Sequence, residues 1–191
     1  EHREDNIDTQ HTEVIQKSLQ LLWNFSYCSK EVTVAIASDS EFLETLKKVL
    51  EAHIPEKIKE EQTEFEMNLV QSILSIFHNI GMLEDNILHI RSLKLFGILC
   101  SFLESESHNN CLNALSILAN IIDKEESTIL QQKRDAIELL QLILSNALEN
   151  ASHECPLDEI IWSAKDCAFI VGRLAKNDVN KKLLVEMGFL D

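Results

Sequence analysis

Asn24, Asn79 and Asn120, with Arg173 as a fourth, stand at one recurring position in this chain, and an amide there has a definite chemical use. A primary amide carries both a donor and an acceptor. It can therefore satisfy the backbone of an extended peptide that has no sheet partner. The same side chain near a helix end can instead solvate or cap that helix. Spacing alone leaves both roles open. Four residues earlier come Gln20, Ser75 and Ser116, each one helical turn from its Asn and on the same face, while Phe169 precedes Arg173.

Other candidate chemistry is sparse. His108 and Cys111 have a metal-like spacing, as do His153 and Cys155, but neither pair has a second pair at zinc-site distance. The 4 Gly are too scattered to form a phosphate-binding loop. No G-x-S-x-G or comparable nucleophile motif occurs. Carboxylates are abundant, yet nothing marks a pair with perturbed acidity. The residues therefore point away from an enzyme, a bound metal or a cofactor. Trp23 and Trp162 are isolated and read as packing residues.

These side chains must be positioned by helices. The chain has only 4 Gly and 2 Pro among 191 residues, and sheet folds consume such turn residues freely. Hydrophobic residues make up 45% and charged residues 26%, so a buried core is affordable. The net charge of −15 opposes nucleic acid and anionic membranes, and it reads either as an ordinary solvated surface or as a preference for basic partners. No apolar run is long enough to span a bilayer. Five Cys without regular spacing fit a reducing compartment, hence cytoplasm or nucleus.

Apolar periodicity predicts helices at about 11–27, a short one near Val32–Ile36, and another from Phe42 to Pro55 behind the capping sequence Ser38-Asp39-Ser40-Glu41. Further helices are expected at about 64–80, 86–90, 91–104, 110–122, 133–149, 157–175 and 178–187. Residues 1–10 carry no such stripe and are expected to stay unstructured, and 55–64 reads as a charged insertion. Pro156 is read as a first helical residue, and Gly81 and Gly188 as C-terminal caps. Gly97 and Gly172 fall inside helices, where close packing would explain them. No segment alternates with period two, so no strand is expected.

The long helices share an ending: Leu21–Ser26, Ile76–Gly81, Ile117–Ile122 and Ile170–Ala175 each place the polar position before a further apolar residue. Leu19, Leu74, Leu115 and Ala168 lie five residues before it, so the register holds over two turns. The polar positions are 55, 41 and 53 residues apart. The middle interval matches an armadillo or HEAT unit, typically ~40–47 residues. The run Arg173-Leu174-Ala175 followed by Asn177 to Gly188 resembles the armadillo repeat family, in which a third helix ends in such a motif and a short helix ending in Gly opens the next unit. The segment from Leu22 to Leu43 resembles it more loosely, with Asp39-Ser40 where the Gly would stand.

This resemblance implies an all-α, right-handed α-solenoid of about three armadillo-like units with partial units at each end. The whole of 1–191 would be one repeat domain, and a continuing parent chain is expected beyond the apolar end Gly188-Phe189-Leu190. It also implies a protein-binding scaffold whose third helices line a concave groove. Asn24, Asn79 and Asn120 would hold a partner's backbone there, with Gln20, Ser75 and Ser116 beside them and Arg173 at the end. The pairs should form one outward polar stripe. Import carriers of the family pair Trp with an Asn four residues later. That Trp ladder is missing here, which disfavours an import role. The rival reading is a structural spacer or a self-associating regulatory region, and an exposed apolar stripe on a terminal helix would favour it. The shared register predicts burial of Leu19, Leu22, Leu74, Phe77, Leu115, Leu118, Val171 and Leu174.

Overall fold

The computed structural model describes residues 4–57, 62–157 and 160–189. The described residues are mostly helical. The chain divides into two compact units, residues 1–98 and 99–191.

The first unit holds α1 (Glu4–Cys28), α2 (Lys30–Ser38), α3 (Ser40–Ala52), α4 (Glu64–Gly81) and α5 (Ile87–Ser92), with single 3-10 turns at Pro55–Lys57 and Glu84–Asn86. α6 (Phe96–Phe102) spans the division. α4 is the centre of this unit. α1, α2, α3 and α5 all pack on it, and Ile73, Leu74, Ile76, Phe77 and Ile80 are fully buried. Caps fix where the helices begin. Ser29 starts α2 and Asp39 starts α3 by accepting bonds from Val32 and Phe42 backbone N–H. Thr63 and Glu66 form a capping box at α4. The Glu66 carboxylate is held below the usual carboxylate range, first by the backbone N–H of Thr63 and then by its hydroxyl.

The second unit holds α7 (His108–Ile121), α8 (Ser127–Leu130), α9 (Arg134–Glu149), β1 (Glu154–Leu157), β2 (Ile160–Ser163), α10 (Ala164–Leu174) and α11 (Asp178–Glu186). α10 packs on α7 and α9, and every residue from Asn109 to Ile121 is buried. At the end of α11, Gly188 adopts φ 80°, a conformation that suits glycine. The backbone N–H groups of Gly188 and Phe189 return to the carbonyls of Val185 and Leu184, closing a Schellman turn.

Several expectations are corrected. The helix predicted at 157–175 is an antiparallel hairpin followed by a shorter helix, with Cys155 opposite Trp162 and Pro156 opposite Ile161. Pro156 is thus a strand residue, and α10 starts only after Ser163, which forms a capping box with Asp166. Ile160, Ile161 and Trp162 suit a pleated surface, and Asn109 of α7 fixes it: its amide N–H donates to the Leu157 carbonyl (2.9 Å) and its oxygen accepts from Trp162 Nε1 (3.0 Å).

The helix predicted at 91–104 is broken because Lys94 takes φ 54°. Gly81 ends α4 as a helical residue, and the cap is Met82 with φ −65°. Gly97 and Gly172 are exposed, and a Cβ built on either would meet nothing within 4 Å, so close packing does not account for them. α1 begins at Glu4, so positions 4–10 of the segment expected to be unstructured are helical. Residues 1–3 of the expected unstructured segment, and 58–61 of the expected insertion, lie outside the described residues. The predicted core residues Leu19, Leu74, Phe77, Leu115, Leu118 and Leu174 are buried, while Leu22 and Val171 are half-buried.

Candidate partner-binding surface

The seven residues of the expected stripe do not share one open face. Gln20 and Asn24 are exposed on α1, and Arg173 is half-buried on α10, its guanidinium 4.9 Å from the centre of the Phe169 ring. Ser75, Asn79, Ser116 and Asn120 are buried. The outward stripe is therefore corrected at these four positions, and the reason is visible at Asn79. This side chain is 6% exposed, and its amide donates to the Trp23 carbonyl (3.1 Å) and to Ser26 Oγ (2.9 Å). Ser26 in turn donates to the same carbonyl (2.8 Å). A carbonyl near the end of α1 thus receives two donors from side chains, and α4 is tied to α1. Asn120 is also 6% exposed; its amide donates to the Ser116 carbonyl (3.0 Å), while its oxygen has no hydrogen-bond partner.

The second unit repeats the Asn79 chemistry with residues the sequence reading did not single out. Asn177 Nδ2 donates to Ser127 Oγ (2.6 Å) and toward the Asp123 carbonyl (3.4 Å). In each unit an amide reaches 50–56 residues back to a carbonyl, that of Trp23 in the last part of α1 or of Asp123 just past α7, and to a Ser hydroxyl three or four residues beyond it. The spacing was available in the sequence, but the pairing was not, because these amides sit one turn apart in the repeat register.

The open surface of the first unit is on α1. Thr12, Gln16, Leu19, Trp23 and Ser26 follow one another by four and three residues and form the covered face of this helix: Leu19 and Ser26 are buried and the other three half-buried. Two residues on from each, about 200° round the helix, run Val14, Ser18, Leu21, Phe25 and Cys28, all exposed. Val14 is 63%, Leu21 55% and Phe25 56% exposed, with Ile15 beside them. α1 therefore carries two heptad-spaced stripes on opposite faces, one covered and one bare. Tyr27 is also exposed on α1, Leu142 and Leu148 share α9, and the others, such as Leu88 and Ile161, stand one to an element; single exposed residues of this kind are normal. An ion pair between Lys17 and Glu13 runs alongside the stripe. This arrangement can exchange water for another apolar helix face, with little hydrogen-bond chemistry.

Elsewhere the titratable groups are dispersed. His108 is exposed while Cys111 is buried, its thiol directed at the Leu103 carbonyl (3.5 Å). His153 is exposed while Cys155 is buried, so neither His–Cys pair converges. Burial pushes the thiols of Cys111 and Cys167 up to about 11 and about 12. Among the described residues no group of three or more His, Cys, Asp or Glu is placed to hold a metal, and no helix is long and apolar enough to cross a membrane. An open cleft of about 610 Å³ lies between α9 and the end of α11, and its charged residues Arg134, Glu138 and Glu186 are exposed. No known family model matches this chain, and no curated protein is significantly similar to it.

Proposed function

We propose that this chain is a non-catalytic protein-binding module, a right-handed solenoid of armadillo-like units, with the bare face of α1 as its contact surface. The observation that carries this reading is the second heptad stripe, Val14 to Cys28, exposed on the face opposite the packed one. The row at i, i+4, i+7 and i+11 is apolar at three of its four positions, with Ser18 at i+4, and follows the spacing by which helices seat against one another. The amide links of Asn79 and Asn177, set at similar intervals in the two units, support a repeated architecture. The partner is a protein or peptide, and the −15 charge favours a basic one over nucleic acid or an anionic membrane. A cytoplasmic or nuclear setting accords with five free cysteines.

A second reading has an observation of its own. Ser75, Asn79, Ser116 and Asn120 are spent inside the fold, and the bare apolar stripe lies on the terminal helix α1; both suit a structural spacer or a self-associating regulatory region. One comparison separates the two. The chain and its Leu21→Asp, Phe25→Asp variant are used as bait, with circular dichroism confirming equal helix content. Proteins retained by the first and lost from the second support the binding module. Identical retention by both, or none by either, refutes the α1 surface. Sedimentation equilibrium then reports whether the chain self-associates.

A further inference from the structure

Resting on that reading, we infer that the occupant of the α1 face is an amphipathic helix of another protein, apolar along one side and basic at one end. Three features of α1 define it. The first is register. Val14, Leu21 and Phe25 are exposed at heptad spacing, with Ser18 and Cys28 completing the row. A helix meets such a row when its own apolar residues recur by three and four, over about 15 residues or about 20 Å. An extended strand, with period two, would match only alternate positions.

The second feature is charge along the helix axis. Within α1, positions 4–13 carry the acidic residues Glu4, Asp5, Asp8 and Glu13 and no Lys or Arg, whereas 14–28 contain one charged residue, Lys17. The helix is thus acidic toward its start and apolar toward its end. A complementary partner has its basic residues grouped beyond one end of its apolar stripe.

The third feature is size. Val14, Ile15, Leu21 and Phe25 together expose on the order of 400 Å², the scale of a functional patch on a monomer. A stable dimer buries about 800 Å² on each side. A second copy would also bring one −15 chain against another, and a parallel pair would set two acidic helix starts side by side. Both arguments favour a basic helix over self-pairing.

The experiment uses synthetic helical probes on the full chain. One peptide has Leu at heptad positions followed by a run of Lys. A second replaces the Lys run with Glu, and a third keeps Lys but replaces Leu with Ser. Binding is measured by isothermal calorimetry at low and high salt. The Leu/Lys probe should bind at least about tenfold more tightly than either control at low salt. Its advantage over the Glu probe should shrink as salt screens the charges. Leu21→Asp with Phe25→Asp, or the milder Leu21→Ser, should weaken it about tenfold, whereas Leu142→Asp with Leu148→Asp on α9 should leave it unchanged. Equal binding of the Lys and Glu probes, both lost in the α1 variants, would overturn the basic-partner assignment and leave the α1 surface standing. Binding that ignores the α1 variants would overturn both. No binding by any probe, with a dimer abolished by Leu21→Asp, would assign the face to a second copy and overturn the inference.

Discussion

Replacing Asn79 by Ala removes two donors from a buried junction and should register as lost stability. In the intact chain the amide donates to the Trp23 carbonyl and to Ser26 Oγ, and Asn79 is 6% exposed, so water does not take over easily. Each bond contributes about 0.5–1.5 kcal/mol. The Trp23 carbonyl keeps the Ser26 hydroxyl as a donor at 2.8 Å, which softens the loss there. The expected cost is therefore about 1.5 kcal/mol, in the lower half of the two-bond range. Asn79→Asp should cost more, since a carboxylate cannot donate to that carbonyl and would be desolvated beside it. Urea unfolding followed by far-ultraviolet circular dichroism gives the energy, and hydrogen exchange locates it; slowly exchanging amides of α1 and α4 should lose protection together. Were the amide a ligand contact on an open groove, the same substitution would leave stability unchanged and weaken binding. A measured cost under about 0.3 kcal/mol would refute the linking role assigned here.

Asn120→Ala should cost less than Asn79→Ala, because it removes one bond but also a buried oxygen that has no partner; paired urea curves rank them, and a larger loss at Asn120 contradicts this. Gly172→Ala should raise stability by about 0.5–1 kcal/mol, since the site is helical, exposed and free of contacts for a Cβ; a lower melting temperature would count against it. Trp162→Phe removes the indole donor to Asn109 and leaves that buried oxygen unpaired, at about 1–3 kcal/mol. Amide exchange should then quicken in β1 and β2 before it does in α7, and uniform loss across the unit would argue otherwise.

Helix positions were legible wherever a cap or a long apolar stripe marked them. α4, α7, α9 and α11 begin and end within about two residues of the predicted limits, the normal scatter of helix ends. The hairpin was not legible. Four-residue strands carry too little alternation to detect, and what fixes them is Asn109, some fifty residues earlier. The break at Lys94 has no sequence mark, because a Lys in a left-handed conformation is imposed by the fold. For the candidate site, the repeated polar position was readable but its orientation was not. Asn79 and Asn24 look alike in sequence, yet one is packed between helices and the other is exposed, and only the neighbouring helix decides which. The bare stripe of α1 was hidden for the converse reason. Val14, Leu21 and Phe25 are part of the apolar pattern that marks the helix, and that pattern does not say which face a neighbour covers.

The hairpin has a practical consequence for engineering. Asn109 ties the strand on each side of the turn, at Leu157 and at Trp162, and the register from Glu154–Ser163 to Leu157–Ile160 closes below it. Leu157 and Ile160, the last pair of that register, are therefore two anchored points of the chain. Lengthening a loop whose ends are already held costs only about 0.6 kcal/mol per doubling. A connection between those two points is a natural place to insert an epitope or a genetically encoded reporter, in the unit that does not contain α1.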